Sequence, residues 1–277
     1  MADTSLIDLK ALSEPACKLI DAVSNTIGVL YEPTRIRRKA KAESDALVFT
    51  AKGEVDALAV RASKRISTQE TRRQENIEEI IDKSIEFLDD NDTEEAMPID
   101  VDWLSFYFDK CQDVSVENVQ NLWAMILAGQ VIEPEACSRA TLLILQSLSN
   151  NDIKLFNKYC QFQFKVNDEL LRFKYSSLNR HLENNGIYEK DIRHLQDLGL
   201  IQAQQAFHFT KNERYVVEYV NFTFSMILKG HRESKTEILT KAGRELYRFV
   251  DMQPCNIYYE ILLSRAQIMS RKVKELK

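Results

Sequence analysis

The sequence predicts a mainly α protein: a long N-terminal helical stalk, a small helical bundle and a C-terminal winged-helix-like α+β module. Three observations carry this expectation. Seven glycines and five prolines in 277 residues leave few places for turns, so helix should dominate. The run from Thr34 to Met97 contains no proline and a single glycine, Gly53. It is built from Ala, Glu, Lys, Arg and Gln, which lose least on entering a helix. The last third then mixes a helix–turn–helix pattern with β-rich runs, the order found in winged-helix modules.

Residues 1–33 read as an N-terminal amphipathic helix. Leu19, Ile20, Val23, Ile27 and Leu30 share one face at helical spacing, and Pro33 ends the helix. Arg35, Arg37, Arg38, Lys39 and Lys41 follow directly, so the face is a candidate for contact with an anionic membrane surface. Its polar side carries Lys18, Asp21, Ser24 and Asn25, which is not strongly basic, and this favours docking on protein.

Residues 34–90 read as one long charged helix. About fifty helical residues would extend roughly 75 Å, more than a small domain needs, so the helix must pack along its length or project. Ile36, Ala40, Leu47, Ala51, Val55, Leu58, Ala62 and Ile66 form a narrow, alanine-rich stripe suited to close helix–helix contact. Leu47, Val55, Leu58 and Ile66 are the candidate self-association residues, and a homo-oligomer is expected. The stripe vanishes from Ser67 to Asn76 and resumes at Ile77, Ile80, Ile81, Ile85 and Leu88, which predicts two buried sections with exposed helix between them. Residues 91–99 are an acidic linker.

Residues 100–165 have the texture of a helical bundle, with Trp103 and Trp123 as large core residues. Ser115 is placed to cap a helix ending at Gly129, and a further helix is expected from Ser138 to Leu148. Ser149 with Asp152 three residues on forms a capping box for the next. Residues 166–252 form the winged-helix-like module. Its turn is Asn185-Gly186, Gly199 closes its second helix, Phe207–Thr210 and Tyr215–Leu228 are the strands, and Thr240 caps the closing helix. Residues 253–277 read as a final amphipathic helix carrying Ile261, Leu262, Ile268, Met269 and Val273.

Catalytic and phosphate-binding motifs are absent from the sequence. None of His181, His194, His208 and His231 is paired at metal-ligand spacing, so no catalytic, cofactor-binding or metal residue is assigned and no cofactor is expected. Cys17, Cys111, Cys137, Cys160 and Cys255 are odd in number and scattered, which fits reduced thiols in a cytoplasmic protein. No basic leader marks a signal peptide, and no stretch of 18 apolar residues could span a bilayer. The net charge of −5 disfavours generic coating of nucleic acid. Lys190, Arg193 and His194 on the second helix of the module are candidate contacts to DNA or to a protein partner. Glu189, Asp191 and Asp197 interleave with them, which favours protein.

The segment from Trp103 through Phe162 carries Phe108-Asp109, Leu122-Trp123-Ala124 and Ile126-Leu127-Ala128-Gly129. Together with the basic start RIRRKAKAE, it is similar to a bacterial family of domains of unknown function. The order of an amphipathic segment, a charged helix and a small helical domain resembles, more loosely, the alpha-type abortive-infection proteins, which implies phage defence as a context. The function expected is a non-catalytic cytoplasmic bacterial interaction or oligomerisation protein, a sensor or adaptor. The alternatives are a winged-helix DNA-binding regulator and a peripheral membrane-associated effector.

Overall fold

The computed structural model describes residues 13–27, 57–89 and 98–276, in two units divided between Arg139 and Ala140. Among the described residues the first unit is helical: α1 (Glu14–Ile27), α2 (Ala57–Asp89), α3 (Val101–Cys111) and α4 (Glu117–Ile132). Asp100 starts α3 by accepting from the Trp103 amide at 2.7 Å, which satisfies one of the amides a helix start leaves open. The expected Ser115 cap of α4 is not used. Val116 holds the N-cap without a side-chain bond, and the helix runs past Gly129 to Ile132.

The core of this unit is aromatic. Trp103 stacks on Tyr107 at 5.2 Å, and Tyr107 meets Trp123 edge-on at the same distance. Two of the three polar ends are answered: Trp103 Nε1 donates to the Cys137 carbonyl and Tyr107 Oη to the Trp123 carbonyl, each at 2.7 Å, while Trp123 Nε1 is buried with no hydrogen-bond partner among the described residues. Ile80, Ile81, Ile85 and Leu88 of α2 close the core from another side. The loop before α4 is tied to α2. Arg72 and Arg73 both reach Asp113, and Asn76 donates to the Gln112 carbonyl at 2.8 Å.

The second unit overturns the expected fold class. Its helices are α5 (Arg139–Ser147, whose first residue closes the first unit), α6 (Asn150–Cys160), α7 (Ser176–Asn184), α8 (Glu189–Asp197), α9 (Lys241–Tyr247) and α10 (Asn256–Met269). With them stands one seven-stranded antiparallel sheet: β1 (Phe164–Val166), β2 (Glu169–Phe173), β3 (Ile201–Phe209), β4 (Arg214–Tyr219), β5 (Phe222–Leu228), β6 (Arg232–Leu239) and β7 (Ser270–Leu276). The spatial order is β3-β6-β2-β1-β4-β5-β7. The chain is therefore α+β, not mainly α with a winged-helix module. The physical reason is that β1, β2, β6 and β7 join the strands the sequence announced and turn an expected wing into a continuous sheet. The expected final helix likewise stops at Met269, and residues 270–276 become the edge strand, paired with β5 from Thr223↔Leu276 to Leu228↔Ser270.

Several local expectations coincide with the structure. Ser149 and Asp152 form the reciprocal capping box of α6. Gly186 and Gly199 take positive φ, 72° and 74°, at the ends of α7 and α8. Thr240 caps α9 by accepting from the Gly243 amide at 3.0 Å. Within the unit, α8 packs on β3, α9 on β6, and α10 on α7, β5 and β7.

Candidate functional site

The residues selected from the sequence fall in three places. On α8, Arg193 lies exposed with its Nε 4.0 Å from Glu189, and Lys190 lies over the ring of Tyr188. His194 Nε2 stands 2.6 Å from Asp152, the same carboxylate that caps α6. Burial works against the charge on Asp152, but bonds from Ser149 and His194 outweigh it and hold this carboxyl below its ordinary value. Arg193 and His194 thus sit beside carboxylates of their own unit.

On α1, Leu19 and Val23 are buried and Ile20 is half-buried, in a helix that packs on α2, α3 and α4. Leu30 and the side chain of Ile27 lie outside the described residues, as does the basic cluster from Arg35 to Lys41. Among the described residues no helix is long and apolar enough to cross a membrane.

On α2 the two halves differ. From Asn76 to Leu88 the helix alternates buried and exposed positions, rooted in the core of the first unit. From residue 58 to residue 75 every position is exposed or half-exposed. Leu58, Val60 and Ile66 show 64%, 54% and 54% of their surface. The two buried sections expected for this helix are thus one within the described residues; Leu47 and Val55 lie outside them.

Two polar clusters in the second unit escaped the sequence reading. The first has a fully enclosed centre. Arg172 on β2 and Glu237 on β6 are both inaccessible and form an ion pair through Arg172 Nε and Nη2. Tyr159 Oη donates to the same Glu237 oxygen at 3.0 Å, Lys174 Nζ stands 3.1 Å from the other, and Arg172 Nη1 donates to Asn179 at 2.8 Å. Burial opposes the Glu237 charge, but Arg172 and Lys174 override it and keep the carboxyl below its usual value. With its central ion pair out of reach of a ligand, this network serves the fold. It fixes which side chains of β2 and β6 oppose each other.

The second cluster meets solvent. Cys255 is half-buried at the N-cap of α10, and its Sγ lies 3.6 Å from Nε2 of His181 on α7. Asn185, the C-cap residue of α7, brings its Nδ2 within 3.2 Å of the same Nε2. The His181 ring sits beside the rings of Phe162 and Tyr258, each 5.7 Å away between centroids. A thiol beside an imidazole nitrogen is a nucleophile beside a base. Neither residue was singled out in the sequence, where they stand 74 positions apart. The available signal was Pro254-Cys255-Asn256 directly before an apolar run, which marks a helix start.

The chain belongs to the DUF2806 family. The family model, described as a protein of unknown function, matches residues 60–263. No curated protein and no solved structure matches the chain.

Proposed function

We propose that this protein is a non-catalytic interaction protein that self-associates through the first half of α2. One observation carries the reading: among the described residues, a 33-residue helix is anchored in a core over its second half only, while its first half keeps Leu58 and Ile66 of the stripe 64% and 54% exposed. A helical segment without packing is marginal in water. Fully burying side chains of this kind is worth roughly 1.5–3 kcal/mol each, so a second copy laid along the stripe would stabilise both. Five free cysteines suit a reducing compartment, which supports the cytoplasm as the setting.

The test is light scattering coupled to size exclusion, on the full chain and on a Leu58→Asp/Ile66→Asp variant. The native chain is expected to elute as an oligomer. The variant should be a monomer with unchanged helical circular dichroism. A native chain that is monomeric at all accessible concentrations, or a variant that assembles like the native chain, would refute the proposal.

A further inference from the structure

We propose that Cys255 is a reactive thiol, assisted by His181, which forms mixed disulfides with low-molecular-mass disulfides. This rests on the geometry of the second unit and is independent of any self-association through α2.

The position is built from several directions. Gln161 fastens the loop before α10, its amide nitrogen donating to the Asp251 carbonyl at 2.9 Å and its amide oxygen accepting from the Gln253 amide at 2.7 Å. The Cys255 amide donates to Tyr219 Oη at 3.2 Å. The thiol is thus delivered to one place at the start of a 14-residue helix.

The protonation of the base follows from Asn185. Its Nδ2 lies 2.8 Å from the His181 carbonyl oxygen, which can only accept, so this atom is the amide nitrogen. The same nitrogen therefore donates to His181 Nε2, which must carry a lone pair, and the ring proton sits on Nδ1. Burial lowers the pKa of His181, so the neutral ring is the resting form at neutral pH. Nε2 is then an unprotonated acceptor whose one lone pair is approached by both Asn185 Nδ2, at 3.2 Å, and the Cys255 thiol, at 3.6 Å.

The reaction balances without any further component. As Sγ attacks one sulfur of a disulfide RSSR, the thiol proton passes to His181 Nε2. The new Cys255–S–S–R bond forms, the R–S–S–R bond breaks, and the departing RS⁻ recovers the proton from His181 and leaves as RSH. Cys255 is oxidised, and the departing sulfur is reduced. The other thiols provide contrast. Cys111, Cys137 and Cys160 are buried, and burial pushes the Cys111 and Cys160 thiols well above their ordinary values. Cys17 is exposed on α1 and serves as an internal reference.

The experiment alkylates the full native chain with limiting iodoacetamide at neutral pH and follows each cysteine peptide by mass spectrometry. Cys255 is expected to react about tenfold or more faster than Cys17, although it is the less exposed thiol. In His181→Gln its rate should fall to that of Cys17 or below. A native Cys255 no faster than Cys17 overturns the proposal, and so does an unchanged ratio in a folded His181→Gln chain. Alkylation of Cys111 and Cys160 would report that the variant has unfolded. In that event a second measurement on the native chain decides. With oxidised glutathione, the adduct should appear on the Cys255 peptide first, and appearance on Cys17 first would overturn the assignment.

Discussion

Gly243, near the start of α9, invites a substitution for which two rules predict opposite signs. Within a helix, alanine is better than glycine by about 1 kcal/mol, so Gly243→Ala would ordinarily stabilise. Here an added Cβ would stand 2.1 Å from the Leu200 carbonyl oxygen and 3.1 Å from Leu239 Cβ. The oxygen is backbone and cannot swing aside, so the chain at Leu200 would have to retreat by about 1 Å, an overpacking cost of about 1–3 kcal/mol. That same oxygen accepts from the Thr240 amide at 3.0 Å, and Thr240 in turn caps α9. Weakening this bond adds about 1 kcal/mol. After the helical gain is set against these terms, a net loss of about 2 kcal/mol remains, an estimated drop of roughly 4–8 °C in melting temperature. Thermal and urea unfolding by circular dichroism measure it directly. A Gly243→Ala chain as stable as the native one, or more so, would show that the close approach of α9 to Leu200 is not a constraint.

Other positions yield further expectations. Val220 occupies the first place of the two-residue turn between β4 and β5 at φ 51°, where a β-branched residue is disfavoured, and it is 40% exposed. Val220→Asn should therefore raise the urea midpoint by the equivalent of about 1 kcal/mol, and a lowered midpoint would contradict the turn assignment. Arg172→Met alone should destabilise by about 3–5 kcal/mol by leaving Glu237 buried beside fewer charges, whereas Arg172→Met with Glu237→Leu should recover most of the loss in a double-mutant cycle. Because the folded pKa of Glu237 lies below the ordinary glutamate value of 4.5, its ionisation contributes stability above that pH. The contribution is lost as pH falls through the depressed value, so acid unfolding curves of the native chain should be steeper below 4.5 than those of Glu237→Gln. Ile20→Asp with Val23→Asp should lower the melting temperature of the first unit by placing charge where Val23 is fully buried. Unchanged stability with loss of binding to anionic liposomes would instead assign this face to a membrane.

The helical elements were legible because their signals are local. Ser149 and Asp152 sit three residues apart, Gly186 and Gly199 mark chain reversals, and Ile77 to Leu88 repeats at helical spacing. The sheet was harder to read because its missing strands are polar. In β6, RESKTEIL, the buried positions include Ser234, Thr236 and Glu237, so its inward face carries no apolar alternation. Glu237 belongs there only because Arg172 opposes it, and a partner on another strand is invisible in a one-dimensional pattern. β7, SRKVKEL, reads as a helix tail for the same reason. The β1–β2 hairpin did leave a trace. Asn167-Asp168 stands between FKV and ELLRF, and both residues take positive φ, 47° and 71°, as a tight turn of this kind requires. The thiol–imidazole pair is the extreme case, since only the folding of α7 against α10 brings His181 to Cys255.

The place of β7 in the sheet bears on where this family can be cut. The family match ends at residue 263, inside α10, whereas the sheet is completed by residues 270–276. A fragment trimmed at the similarity boundary would lose the outermost strand and leave β5, FTFSMIL, as a raw margin with a row of unanswered amides and carbonyls. Such an apolar margin recruits strands from other molecules. In this chain that margin is covered by β7, which turns Arg271, Lys272 and Lys274 to the solvent. The last seven strand residues act as a charged selvedge that keeps the sheet from growing onto its neighbours.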